Sequence, residues 1–132
     1  MKEVSVKLGF LGHNYQMALS TIADQSRVLK ASASYLLTTV IDESKKHIDK
    51  YDGIRKGLIE KYGKKDESGN PVLNEDGSQY LLEDTDSFMK EYEELASLEV
   101  TLPELPLSYL QDIRIPQEQM KALVLTILNP EA

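Results

Sequence analysis

The most restrictive feature of this chain is a sustained heptad pattern that ends at Tyr62. Residues suited to one helix face recur at alternating steps of four and three: Leu37, Ile41, Ser44, Ile48, Tyr51, Arg55, Leu58 and Tyr62. This spacing is typical of an α-helix whose seam packs against another helix. We predict one helix from about residue 29 to residue 62, which at roughly 1.5 Å per residue is about 50 Å long.

A helix of this length exceeds what a chain of 132 residues can bury from end to end. We therefore expect part of it to project from the core or to pack against another chain. Gly53 and Gly57 lie in its interior, where each glycine costs about 1 kcal/mol relative to alanine. They mark either the close approach of a second helix or a weak point. Gly63 is predicted to end the helix in the left-handed cap conformation.

The rest of the chain predicts shorter elements, and the whole chain is predicted to be a single domain of residues 1–132. The fold class is α+β and mostly helical, with the long helix in a helical hairpin, a small β-hairpin or sheet, and two shorter helices. Hydrophobic periodicity and turn residues predict a strand at 3–8, a helix at 14–25, a β-hairpin around Asp76-Gly77, a helix from Asp84–Asp86 to about Leu98, a strand at 99–102 and a helix at 116–128.

Four segments divide the chain by composition, and the two central ones carry opposite charge. They are an N-terminal strand and helix (1–34), a long basic helix (35–65), an acidic hairpin and helix (66–104) and a C-terminal helix (105–132). Residues 27–65 hold ten Lys/Arg against five Asp/Glu, whereas residues 66–104 hold one Lys against twelve Asp/Glu. The net charge of −7 argues against a general nucleic-acid binder. Opposite charges also suggest head-to-tail association of copies, with the Lys45–Lys65 face against residues 83–104 of a neighbour.

No motif in the sequence predicts an enzyme or a metalloprotein. The chain has no cysteine, and Gly57 to Gly63 is one residue too long for a phosphate loop and lacks the following Ser/Thr. The acidic stretch after Asp66 misplaces the glycine that a calcium loop requires. Neither His13 nor His47 has a second ligand at zinc spacing. We predict no catalytic residue, no cofactor and no metal site.

A set of short motifs from about Tyr35 to the end resembles a family of small proteins encoded by tailed phages and prophages. The long helix ends in an Arg-x-x-Leu-Ile-x-Lys-Tyr-Gly pattern, here Arg55, Leu58, Ile59, Lys61, Tyr62 and Gly63. An Asp-Glu-x-Gly-Asn turn and an acidic helix follow, here Asp66, Glu67, Gly69, Asn70, Phe88, Glu91, Tyr92, Glu94 and Leu95. The resemblance implies a phage origin and brings no established activity.

Charge and resemblance together predict a non-enzymatic phage protein that acts through protein–protein contacts, as a virion or virion-assembly accessory. The alternative is an inhibitor of a host or defence protein that uses the acidic surface. A homo-oligomer is one form that we consider, with neither nucleic acid nor membrane as a direct partner. The expected location is the cytoplasm of the infected bacterial host, or the virion. Candidate partner-binding residues are Lys56, Lys64, Lys65, Tyr80, Glu91, Glu93 and Glu94.

Overall fold

The computed structural model describes residues 2–131 and has the mostly helical α+β architecture predicted from the sequence. Its helices are α1 (His13–Asp24), α2 (Ala31–Tyr62), α3 (Thr85–Ala96) and α4 (Gln117–Val124). Its strands are β1 (Glu3–Lys7), β2 (Glu99–Pro103), β3 (Leu105–Pro106) and β4 (Leu128–Asn129). Short 3₁₀ turns at Leu8–Phe10, Ser26–Val28 and Leu107–Leu110 join these elements.

One small sheet ties the beginning of the chain to its last third, and a second joins two segments of that last third. Strand β1 pairs with β2 in antiparallel register, from Glu3 opposite Pro103 to Lys7 opposite Glu99. Strands β3 and β4 pair in parallel, with Leu105 opposite Leu128. Because these pairings join residues far apart in sequence, they hold α1, α4 and the first half of α2 around one core.

The core lies at the N-terminal half of α2. Its most deeply buried side chains come from all parts of the chain: Tyr15, Ile22, Val40, Leu102, Leu105, Leu123 and Ile127. The hydroxyls of Tyr15 and Ser44 form a buried hydrogen bond of 2.6 Å. Ser44 therefore occupies a seam position as the partner of a buried tyrosine. Burial raises the pKa of Tyr15 to about 12.

The burial of α2 changes sharply along its length. Its first half carries the buried residues Ala33, Leu36, Leu37, Val40 and Ser44, whereas its second half carries only Leu58 in that class. Side chains added at Gly53 or Gly57 would meet nothing within 4 Å. The glycines therefore do not mark a helix–helix contact within residues 2–131, and the second half of α2 adds only Leu58 to the buried core, with Ile48, Tyr51 and Tyr62 partly buried against it.

The structure corrects the predicted conformation of Gly63 and the predicted ends of two helices. Gly63 is extended (φ −71°, ψ 141°) and not left-handed, because the chain leaves α2 directly into a β-bridge with Leu82. Its amide still donates to the carbonyl of Ile59, at 2.7 Å. Helix α4 ends at Val124, because Leu128 pairs with β3. Helix α3 ends at Ala96, before the strand that pairs with β1.

Candidate interaction surface

Residues 47–96, which we call the hairpin arm, comprise the second half of α2, a connecting segment and α3. The remaining described residues form the head. An aromatic seam joins the two helices: the rings of Tyr62 and Phe88 lie 6.5 Å apart, and those of Tyr51 and Tyr92 lie 6.2 Å apart, in both cases edge to face. Since the last residue of α2 meets the start of α3, the helices run antiparallel. Offset and edge-to-face pairs of this kind add to the stabilisation from area burial.

The seam has a polar link where the arm joins the head. The hydroxyl of Tyr51 donates to the hydroxyl of Tyr92 across 2.6 Å. Burial, followed by the interaction with Tyr92, raises the pKa of Tyr51 to about 12. A directional bond between two partly buried hydroxyls fixes how far α3 can slide along α2.

One ion pair crosses the hairpin near its outer end. The ammonium of Lys61 lies 3.2 Å from a carboxylate oxygen of Glu91 and 4.9 Å from the centre of the Tyr62 ring. Interactions with Tyr62 and then with Glu91 raise the pKa of Lys61, and interactions with Tyr62 and then with Lys61 lower the pKa of Glu91. Glu91 therefore serves a contact within the arm.

The connecting segment, residues 63–83, forms a closed arm tip. The Lys64 amide donates to the Leu81 carbonyl (2.8 Å), the Val72 amide to the Lys64 carbonyl (2.9 Å), and the Leu81 amide to the Val72 carbonyl (2.8 Å). In an ordinary strand, the N–H and C=O of one residue point to the same neighbour. Here each residue bonds two different segments, so the three short segments close into a ring instead of a flat sheet.

Two tight turns connect the three segments. A side-chain oxygen of Asp66 accepts the amides of Ser68 and Asn70, both at 2.9 Å, and Gly69 adopts φ +81°. In the second turn Asn74 accepts the Ser78 amide at 3.0 Å, and Gly77 adopts φ +73°. Glycine is required at both positions because an L side chain is strained at positive φ. The hairpin predicted at Asp76-Gly77 is confirmed.

The arm tip presents a pair of apolar side chains to solvent. Leu73 and Tyr80 lie opposite each other in an antiparallel bridge. The flanking bonds run from Asn74 N to Gln79 O and from Leu81 N to Val72 O. This makes Leu73 and Tyr80 a non-hydrogen-bonded pair, whose side chains stand closest together. They are 45% and 47% exposed. The bridge therefore holds the two side chains next to each other at an exposed position of the arm tip.

Each helix of the arm has an outer face, directed away from the seam. The outer face of α2 carries Asp49, Lys50, Gly53, Lys56, Gly57 and Glu60 within the arm and Lys46 just before it, all exposed. The outer face of α3 carries Asp86, Met89, Lys90, Glu93 and Glu94, also exposed. These outer-face charges of the arm form no ion pair with one another or with any other of the residues 2–131, apart from Lys46 with Glu43 in the preceding turn.

The structure distributes the candidate partner-binding residues over three places. Lys56 lies on the outer face of α2, and Glu93 and Glu94 lie on the outer face of α3. Lys64, Lys65 and Tyr80 belong to the arm tip. Glu91 lies between the helices, bonded to Lys61. The basic and acidic segments therefore lie in one hairpin, where Lys61–Glu91 is the ion pair that joins the two helices within residues 2–131, and head-to-tail association of copies stays a prediction.

Sequence reasoning did not identify Leu73 and Met89 among the exposed apolar residues of the arm, which also include Ile54 and Leu81. Leu73 is the cross-strand partner of Tyr80, and the Asp76-Gly77 turn was the signal that could have paired them. Met89 is 44% exposed and lies one position after the seam residue Phe88. Helical spacing alone places it on the outer side of α3.

Two cavities lie where α1 runs beside α2. One, of about 380 Å³, is lined by Leu19, Ala23, Ile41 and Ile48 together with polar residues at its rim. The second, of about 420 Å³, lies near the first turn of α1 and is lined in part by His13, Arg55 and the Tyr51–Tyr92 pair. Both are open grooves between helices.

Two further properties of the described residues concern metal ions and membranes. Among residues 2–131, no three His, Asp or Glu side chains lie close enough together to hold a metal ion. None of the helices in this part of the chain has the length and apolar character needed to cross a membrane. Comparisons with family models, with curated proteins and with solved structures found no match for this chain.

Proposed function

We propose that this chain is a non-enzymatic phage protein that acts through protein–protein contacts, as an accessory of the virion or of virion assembly. The observation that carries the proposal is the hairpin arm, in which a 32-residue helix continues past the most deeply buried part of the core and ends in an ordered tip. The phage assignment is supported by the motif resemblance, which includes the arm residues from Arg55 to Leu95.

The arm combines internal order with exposed apolar groups, which is the combination that a recognition element needs. The aromatic seam, the Lys61–Glu91 pair and the closed ring of hydrogen bonds fix its shape. Leu73 and Tyr80 nevertheless remain about half exposed at its end. Because the arm is already ordered, binding through it loses little conformational entropy. Tyrosine at such a position supplies apolar area together with a polar hydroxyl, as is common at protein interfaces.

Purified particles from cells that produce the phage test this proposal directly. We expect the chain to copurify with particles or with an assembly intermediate, and deletion of its gene to lower the yield of infectious particles. The double variant Leu73→Ser/Tyr80→Ser should lose copurification while keeping the melting temperature of the wild type. A matched control, Val124→Ser/Leu125→Ser, removes two exposed apolar residues from the head and should copurify normally. Absence from particles and intermediates, with unchanged yield on deletion, would contradict the proposal.

A second candidate function is inhibition of a host or defence protein by the acidic surface. It is favoured by the exposed carboxylates of Glu93 and Glu94, which form no ion pair with any residue from 2 to 131, together with the acidic turns of the tip. An inhibitor should capture one host protein from lysate at near-stoichiometric level, and added salt should release it. Glu93→Lys/Glu94→Lys should abolish that capture, whereas Leu73→Ser/Tyr80→Ser should weaken it less. Normal particle yield combined with such capture would favour inhibition over a role in assembly.

A further inference from the structure

We propose that two copies of this chain associate through β1, which pairs with β1 of the second copy in antiparallel orientation about a two-fold axis at Ser5. The β1–β2 sheets of the two copies then join into one larger sheet. Strand β1 belongs to the head, so this proposal goes beyond the proposed function and does not rest on the arm tip. Each of the two proposals can fail while the other holds.

The edge of β1 that faces away from β2, which we call the free edge, is identified by the hydrogen bonds on the other side. The Glu104 amide donates to the Lys2 carbonyl (2.9 Å), and the Leu8 amide donates to the Leu98 carbonyl (2.8 Å). Both bonds continue the register of the β1–β2 pairing. Alternate residues of an antiparallel strand direct their backbone groups to opposite edges. The odd-numbered residues of β1 therefore direct their amides and carbonyls to the free edge.

Nothing among residues 2–131 covers the free edge. Its residues, Glu3, Ser5 and Lys7, are exposed, and their amides bond to no backbone carbonyl in this part of the chain. β2 is the strand that pairs with β1, and no second element of the described chain runs along the other side. An open strand edge is a template for pairing with another extended segment.

Charge complementarity identifies that segment as β1 of a second copy. With the axis at Ser5, Glu3 of each copy lies opposite Lys7 of the other, and neither side chain forms an ion pair with any residue from 2 to 131. A shift of the pairing by two residues would set Glu3 or Lys7 opposite Ser5. A shift by four would set two like charges opposite each other, which is destabilising. One register alone thus satisfies both charges, and a two-fold contact is self-complementary by construction.

The inner face of β1 gains an apolar contact in the same register. Val6 is 3% exposed, whereas Val4 is only partly buried against the core. Across the axis Val4 of each copy lies opposite Val6 of the other. These are non-hydrogen-bonded pairs, in which side chains stand closest together. The incomplete burial of Val4 is what a strand with one missing neighbour shows.

The expected association is weak. The Ser5 amide of each copy donates to the Ser5 carbonyl of the other, and the Lys7 amide donates to the Glu3 carbonyl of the other. Strands of five residues nevertheless bury less than the roughly 1,600 Å² of a standard interface. We therefore expect a dissociation constant on the order of 100 μM at low salt.

Proline substitution on the two edges of the sheet tests the proposal, with sedimentation velocity as the readout. Ser5→Pro removes an amide of the free edge, so the single chain should keep its melting temperature and the dimer should be lost. Thr101→Pro is the matched control. Thr101 lies opposite Ser5 in the β1–β2 pairing, so its amide faces the far edge of the sheet and the dimer should persist. A dimer that survives Ser5→Pro overturns the proposal, as does one that Thr101→Pro alone abolishes.

Charge reversal with rescue tests the register independently of any effect of proline on folding. Glu3→Lys and Lys7→Glu should each raise the dissociation constant roughly tenfold, because each variant sets two like-charged pairs against each other across the axis. The double variant Glu3→Lys/Lys7→Glu restores opposite charges and should dimerise like the wild type. Lys121→Glu, an equal charge change on α4, should have no effect. Failure of the double variant to recover overturns the proposed register.

Amide hydrogen exchange measured by NMR supplies a readout specific to the free edge. The Ser5 and Lys7 amides should exchange several-fold more slowly at about 1 mM, roughly tenfold above the expected dissociation constant, than in dilute protein. The Val4 and Val6 amides, which face β2, should be protected at both concentrations. Glu93→Lys/Glu94→Lys should leave the dimer unchanged, which separates this contact from head-to-tail association. A wild-type chain that stays monomeric at the higher concentration and low salt overturns the proposal, as does loss of the dimer in the α3 variant.

Discussion

The head and the hairpin arm are built on the same helix, yet they stabilise it in different ways. In the head, α2 buries aliphatic side chains such as Leu37 and Val40 within a core that several elements share. In the arm, α2 has α3 as its partner helix, and the two helices combine the buried leucines Leu58 and Leu95 with half-buried aromatic rings, one hydroxyl pair and one ion pair. One continuous heptad seam thus serves two environments. The heptad pattern therefore determines which face of the helix packs against other elements, but it does not determine how much of that face is buried.

This difference has a consequence for cooperativity. A side chain in the head contacts elements from both ends of the chain, so its loss should weaken the whole fold. A side chain in the outer part of the arm contacts mainly α3 and the tip, so its loss should first increase local unfolding of the arm.

The largest effect should come from truncating a buried leucine, either in the head or in the arm. Leu123→Ala, at a fully buried position of the head, should lower the free energy of unfolding by about 3 kcal/mol. Leu58→Ala, at the buried position that α2 contributes to the arm, should cost about 2 kcal/mol and speed hydrogen exchange mainly in residues 53–95. Urea denaturation and exchange measured by mass spectrometry distinguish the two. Equal acceleration of exchange in α1 and α4 by Leu58→Ala would contradict a separate arm.

Gly63, at which the chain leaves α2, should be the position next most sensitive to substitution. A side chain at Gly63 would collide with the carbonyl oxygen of Ile59, so Gly63→Ala should destabilise the arm by more than about 1 kcal/mol. Gly57→Ala is the matched control in the same helix, and in dilute protein it should stabilise by about 1 kcal/mol. Thermal unfolding of the two variants should shift in opposite directions. A rise in melting temperature for Gly63→Ala would show that the tip does not hold the chain in this conformation.

Gly63 also shows which features of the fold can be predicted from the sequence and which cannot. The heptad repeat predicted α2 to within about two residues, because helix periodicity is a local property of the chain. The glycine after Tyr62 correctly marked the helix end, but a local capping rule assigned it the left-handed conformation. Pairing with Leu82, nineteen residues later, selects the extended conformation instead. The closed ring of the tip has the same cause, since it depends on bonds among segments that local patterns do not connect.

The candidate surface was predictable to a similar extent. Helical spacing places Lys56, Glu93 and Glu94 on exposed faces, because it assigns other residues of the same helices to the seam. Glu91 was predicted as a partner-binding residue on charge alone, and its pairing with Lys61 depends on the register between α2 and α3. That register is set by the aromatic seam, which the sequence shows only as two separate helical patterns.

Alkaline pH should weaken both regions. The pKa values of Tyr15 and Tyr51 are both raised to about 12 in the folded chain. A raised pKa stabilises the fold below the unfolded value near 10, and this contribution is lost as pH rises from about 10 to 12. Tyrosinate absorbance should therefore show two groups that titrate late, one of which disappears in each of Tyr15→Phe and Tyr51→Phe. Tyr15→Phe should also cost about 1 kcal/mol at neutral pH by leaving Ser44 without its buried partner. Titration of all tyrosines near pH 10 without unfolding would contradict this assignment.

The smallest effect should come from the ion pair at the outer end of the arm. Lys61 and Glu91 are bonded at 3.2 Å but largely exposed, and exposed pairs contribute little because water screens them and two long side chains must be ordered. Lys61→Met keeps the aliphatic stem beside Tyr62 and removes the charge, so thermal unfolding should be unchanged within error. Its effect should appear instead in Glu91, whose lowered pKa should rise toward the ordinary value in carboxyl-detected NMR. Glu93→Gln is the control, since it removes a nearby carboxylate that pairs with nothing in the described chain. A clear loss of thermal stability in Lys61→Met would mean that the arm depends on its charges more than on its aromatic seam, and the contrast between head and arm would then be one of chemistry as well as of burial.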